Sequence, residues 1–226
     1  MSNGGLFNLK KVSLVVALLL FAFGVQAATI TFGSDLVNEG NVVNNVIGLN
    51  QYIQPNVAWA PVLPHGSWIS YANTGMGTGS FSPPNTTIPG TPTAVFYEYF
   101  PVGTYLASLN IYADDTAGVF LEDLSNNNPG TLLKAPNPVQ DGACAAGDIG
   151  CQPNENWQGS FNVNPNGTSR LRIEAYQRGG GPFGVMYEGT ASTVPEPGSL
   201  WLLATGVGLF GAARLPNWLR RRRNRN

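Results

Sequence analysis

The chain has 226 residues, enough for one domain or two small ones. Charged residues are 11%, against about 25% in an average soluble domain, and 43% hydrophobic with 11% aromatic residues excludes disorder throughout. The net charge of −1 hides a segregation: residues 28–194 hold four bases (Lys134, Arg170, Arg172, Arg178) against twelve acids, which argues against nucleic acid as a partner.

The first element reads as a secretory signal helix over residues 1–27. Lys10 and Lys11 form a positive start, residues 12–25 an apolar run, and Val25-Gln26-Ala27 a small-residue cleavage site. The fourteen-residue run, apolar but for Ser13, rises about 21 Å as a helix, short of the roughly 30 Å hydrocarbon core. That favours cleavage after Ala27 or Ala28 over a retained anchor. The mature chain is then exported to an oxidising compartment.

Residues 28–193 read as one all-β domain, an antiparallel β-sandwich or jelly roll. Alternation predicts strands at 93–100, 104–113, 117–123, 169–178 and 183–189, with weaker ones at 29–32, 68–71 and 160–163. In 104–113 one face carries Tyr105, Ala107, Leu109, Ile111 and Ala113; in 169–178 Leu171, Ile173 and Ala175 point inward. Gly, Pro and Asn clusters separate the runs, and 124–158 reads as a long insertion. The stretch from Phe96 to Leu121 resembles the core of galactose-binding-like, carbohydrate-module-type sandwiches: an aromatic strand, a strand ending in Asp-Asp, then a hairpin return.

Several residues are candidates for chemistry. Cys144 and Cys151, the only cysteines, sit in a Gly- and Asp-rich loop of an exported chain and are expected to form a disulfide. His65, the only histidine, lies between Pro64 and Gly66, as suits an exposed loop. Asp114-Asp115 and Glu122-Asp123 stand at strand ends. Such pairs can serve glycoside hydrolysis or hold calcium, and Asp also simply favours turns. Any ion at Asp114 and Asp115 would be calcium, since neither imidazole nor thiolate is at hand; no other cofactor is expected. Trp59, Trp68, Tyr71, Tyr97, Tyr99 and Trp157 either stack on sugar rings or fill the core. The Asn-x-Thr matches at Asn85 and Asn166 carry no weight.

The last element, residues 194–226, begins with Pro195-Glu196-Pro197. An apolar span follows at 200–219, with Arg214 and Pro216-Asn217 in its second half, and then Arg220, Arg221, Arg222 and Arg223. Twenty residues reach about 30 Å as a helix, enough to span a bilayer, and the Arg cluster holds the end in the cytoplasm. The prolines keep the preceding stretch extended. This order of parts resembles the PEP-CTERM sorting signal of Gram-negative bacteria. The resemblance implies processing by an exosortase, transient residence in the inner membrane, and delivery to the cell surface or a polysaccharide matrix.

The sequence thus points to an exported, non-enzymatic surface or matrix protein, adhesive or polysaccharide-associated, with no catalytic residue assigned. One alternative is a surface glycan hydrolase or lyase using Asp114, Asp115 or Glu122. Another is a surface protein that stays anchored in the membrane.

Overall fold

The computed structural model describes residues 27–35, 40–43, 46–125, 129–142, 144–163 and 168–194. These residues form no helix but twelve strands: β1 (Thr29–Gly33), β2 (Gly40–Val43), β3 (Val46–Leu49), β4 (Gln51–Tyr52), β5 (Ile69–Ser70), β6 (Ala94–Phe100), β7 (Tyr105–Asp114), β8 (Thr116–Asp123), β9 (Thr131–Lys134), β10 (Trp157–Val163), β11 (Ser169–Tyr176) and β12 (Gly184–Thr193). All pair antiparallel in two sheets. The first runs β10-β7-β12-β5-β4, with β1 also on β12; the second runs β3-β2-β6-β11-β8-β9.

The period-two pattern decides what lies between the sheets. Leu109, Ile111, Ala113, Val185, Tyr187 and Ala191 from the first sheet share one buried core with Phe96, Phe100, Val119, Leu171 and Ile173 from the second. Phe32 on β1 meets Phe100 on β6 edge-on, ring centroids 5.1 Å apart. The domain is therefore an all-β antiparallel sandwich.

Three expectations are corrected. The hairpin return after Asp-Asp is instead an arch: β7 lies in the first sheet and β8 in the second. A hairpin has no room, because both edges of β7 are taken by β10 and β12. The insertion at 124–158 contains β9 and the start of β10. The last strand runs to Thr193 rather than stopping at Gly189.

Gly189 shows why a glycine sits inside that strand. A Cβ there would lie 2.2 Å from Phe32 Cζ and 2.3 Å from the Ser108 carbonyl oxygen. The glycine makes room for a core ring instead of ending the strand. Gly189→Ala should cost about 3 kcal/mol through overpacking, read as a lower melting temperature.

A second apolar layer covers one end of the outer face of the first sheet. Ile53, Trp59, Ala60, Trp68, Cys144, Cys151 and Met186 are buried together, with Leu63 and Tyr112 beside them. Met186 and Tyr112 are cross-strand partners. Their outward apolar side chains are what this cover of loops removes from water.

Almost all of the predicted signal helix (residues 1–26), the sorting motif Pro195, Glu196 and Pro197, the 200–219 span and the cluster Arg220, Arg221, Arg222 and Arg223 lie outside the described residues. Among the described residues no helix is long and apolar enough to cross a membrane.

Candidate functional site: a polar groove on the first sheet

Beyond the Met186–Tyr112 row the outward residues of the first sheet turn polar and the cover ends. Register aligns Thr31, Thr190, Ser108 and Ser160 in one row across β1, β12, β7 and β10. The neighbouring row is Gly33, Glu188, Asn110 and Gln158. The turn carrying Pro64 and His65 forms a wall, and the whole encloses an open groove of about 570 Å³.

The wall is held tightly. Leu63 bridges Gly66, and the His65 backbone N–H donates to Glu188 Oε2 at 3.0 Å. A Cβ on Gly33 would come within 1.9 Å of the His65 carbonyl oxygen, so only glycine lets this turn lie on β1. The His65 side chain is 58% exposed, with Nδ1 4.0 Å from Asp35 Oδ2. The floor is also ordered: the Ser108 and Thr190 hydroxyls are 3.0 Å apart, and Asn156 Nδ2 donates to Asn110 Oδ1 at 2.7 Å.

Asp114 and Asp115 lie elsewhere, at the arch, and both are buried. Trp59 Nε1 donates to Asp114 Oδ2 at 2.6 Å. Asp115 Oδ2 accepts from the backbone N–H of Arg178 and from that of Gly179 at 2.7 Å. Burial first, and then the neighbouring Asp115, push the Asp114 carboxyl from 3.8 up to about 9, against a lowering by Trp59. Asp114 is therefore protonated at neutral pH. Calcium takes six to eight oxygen ligands. Among the described residues no third carboxylate, imidazole or thiol gathers with this pair, and N–H donors already occupy one oxygen of each carboxyl.

Glu122 faces outward on the second sheet. Arg170 Nε and Arg172 Nε each donate to it at 2.6 Å. Arg172 also pairs with Glu174, and Tyr176 donates to Glu174 at 3.0 Å. The structure brings Glu122 into a charge ladder and leaves it apart from Asp114 and Asp115.

The six candidate aromatics divide unevenly. Trp59 (6% exposed) and Trp68 (1% exposed) belong to the covering layer, where their rings stack 4.2 Å apart. Tyr71 packs against Phe81 and Phe183, and Trp157 against the main core. The Tyr97 ring carries the Arg170 guanidinium 4.0 Å above it. Tyr99, 50% exposed, is the one candidate left open, and its hydroxyl accepts from Arg170 at 3.0 Å.

Cys144 and Cys151 form a disulfide, as expected. The two sulfurs and a Glu155 oxygen lie within 4.8 Å of one another, but bonded sulfurs are not thiolates and do not ligate a metal in this form.

The groove was not predicted. Its signal was the run of outward residues Ser108 and Asn110 on a strand whose inward set was correctly read, together with Glu188 and Thr190. The fold so defined is an antiparallel sandwich with a polar cleft on one outer face.

No protein-family model and no curated protein matches the chain. Among solved structures it is similar to a family 35 carbohydrate binding module from Clostridium thermocellum (9% identity, 72% of this chain, 98% of that one, TM-score 0.32). It is also similar to the K1 cleaved adhesin domain of Lys-gingipain from Porphyromonas gingivalis (12% identity, 77% of this chain, 95% of that one, TM-score 0.35). A CBM4 structure is a third (15% identity, 59% of this chain, 74% of that one, TM-score 0.29).

Proposed function

We propose that the chain is an exported, non-enzymatic surface or matrix protein whose sandwich holds polysaccharide in the groove of the first sheet. The lining of the groove carries this reading. Thr31, Ser108, Ser160 and Thr190 supply hydroxyls, Asn110 and Gln158 supply amides, and every one can both donate and accept. A polyol makes the same two demands at every hydroxyl.

Two observations favour binding over hydrolysis. Glu188 is the sole carboxylate among the residues lining the groove, whereas hydrolysis takes a pair about 5–10 Å apart. The acids nominated for catalysis are elsewhere, Asp114 and Asp115 under Trp59 and Glu122 between two arginines.

The address rests on sequence. The signal-like start, Pro195-Glu196-Pro197, the apolar span and the four arginines Arg220 to Arg223 support exosortase processing after insertion in the inner membrane. Mass spectrometry of the surface fraction should then find a C-terminus near residues 195–199. Peptides containing Arg220–Arg223 in that fraction would instead favour a retained anchor. Glu196→Ala should block cutting without blocking insertion, since the apolar span is untouched.

Binding is tested by co-sedimentation of the full chain with insoluble polysaccharides. The wild type should sediment with at least one. Ser108→Ile, at an exposed position in the middle of the hydroxyl row, should put a branched apolar side chain in the path of the sugar and weaken sedimentation about tenfold or more. Sedimentation with none of a broad panel would contradict the proposal.

A further inference from the structure

We infer that the groove selects uncharged polysaccharide and excludes acidic glycans, with the sugar chain lying along the hydroxyl row across the strands. This rests on the polysaccharide reading above and narrows it to one charge class.

The geometry sets the direction. The row Thr31, Thr190, Ser108, Ser160 crosses four adjacent strands. At about 4.8 Å per strand it spans about 14 Å, the length of roughly three pyranose units. The parallel row Glu188, Asn110, Gln158 offers a second line of contacts on one side of the same path. Asn110 Oδ1 is taken by Asn156, which leaves the Asn110 amide N–H groups to donate into the groove. Glu188 Oε2 is taken by the His65 N–H, which leaves Oε1 to accept.

The charges set the class. No Lys or Arg lines the groove, and Glu188 stands in its floor. A uronate, sulfate or phosphate entering it would meet a carboxylate with no permanent cation, only the His65 imidazole, to offset the lost hydration. The domain as a whole repels it too, with twelve acids to four bases over residues 28–194. The arginines that could have drawn an anion, Arg170 and Arg172, lie on the second sheet and are engaged with Glu122. A neutral glycan loses nothing on these grounds and meets the capacity that the Ser108–Thr190 and Asn156–Asn110 bonds leave open.

The test is affinity electrophoresis in mild detergent of the full chain carrying Arg220→Ser, Arg221→Ser, Arg222→Ser, Arg223→Ser and Arg225→Ser, so that the basic tail does not itself hold a polyanion, through native gels holding hydroxyethyl cellulose or galactomannan (neutral), polygalacturonate (acidic) or chitosan (cationic); this background serves as the wild-type groove. The wild type should be retarded by a neutral glycan and not by polygalacturonate. Ser108→Ile should weaken the neutral retardation about tenfold or more. Glu188→Lys should gain retardation in polygalacturonate, a result that a misfolded variant would not give. Retardation of the wild type by polygalacturonate, or by chitosan alone, overturns the inference, as does neutral retardation that Ser108→Ile retains. The absence of a gain in Glu188→Lys overturns the charge rule. In each of these cases polysaccharide binding itself stands. Retardation in no gel overturns both.

Discussion

Replacing Asp114 by Asn should make the protein markedly more stable at pH 8 while leaving it nearly unchanged at pH 4. The Asp114 carboxyl is buried beside Asp115 and pushed from 3.8 up to about 9. Between those two values the folded chain keeps a proton that the unfolded chain has released. Unfolding then releases that proton, so stability falls as pH rises, by at most about 1.4 kcal/mol per pH unit. The contribution is complete below about pH 4 and is lost as pH climbs toward 9. Asn mimics the protonated acid: its oxygen accepts from Trp59 Nε1, and its amide donates to Asp115. The difference between wild type and Asp114→Asn isolates this group from other titrations. It should grow to a few kcal/mol by pH 8, a rise of about 5–10 °C in melting temperature for a chain of this size. Parallel melting curves from pH 5 to 9 would show that Asp114 is not held protonated. The arch is a sensitive place for such a group, because it joins three loops. Trp59 reaches it from the cover, Arg178 and Gly179 from the β11–β12 connection, and the Ala145 N–H donates to the Asp115 carbonyl at 2.9 Å.

The double variant Cys144→Ala with Cys151→Ala should lose about 3–4 kcal/mol. Chain entropy accounts for roughly 2–3 kcal/mol, since the closed loop is short. The remainder comes from packing, because both sulfurs are buried against the Trp59–Trp68–Met186 layer. From the sequence, losing the bond is expected to loosen the 141–158 loop more than the sheet, since no predicted strand lies between the cysteines. The structure moves the expected damage to the cover as well. The Ala60 N–H donates to the Cys151 carbonyl at 2.7 Å, and the Ala113 N–H to Gly150 at 3.0 Å. Hydrogen exchange should therefore speed up at Ala60 and Ala113, while Ile173 in the second sheet keeps its protection. Thiol labelling of unreduced wild type should find neither cysteine reactive. An unchanged melting temperature would mean that the bond adds nothing to this layer.

The inner faces of the sandwich were legible because they obey a local rule. Ile111 and Ala113, or Leu171 and Ile173, are two residues apart, and alternation alone places them in the core. The partition of strands between sheets is not local. The turn at Asp114-Asp115 reads the same whether the chain doubles back or crosses over; the occupied edges of β7 decide it. The short strands β2, β3, β4 and β9 have two to four residues each, too few to show a period. Trp59 and Trp68 were visible as aromatics, but nothing nearby in sequence says that the outer face of a sheet would have a cover. The groove fails for the same reason. Ser108 and Asn110 read as polar outward residues, yet their meeting with Thr190, Ser160 and His65 depends on register between strands far apart in the chain.

Glycan held on the polar face of the first sheet, and not on the aromatic face of the second, has a residue-by-residue signature. An NMR titration of isotope-labelled protein with a soluble neutral glucan oligosaccharide tests it most directly. Side-chain amide resonances of Asn110 and Gln158 should shift and saturate together, while the Tyr99 ring stays unmoved. Shifts at Tyr99 and Arg170 with Asn110 and Gln158 unaffected, or no shift at any residue across neutral glycans, would contradict it.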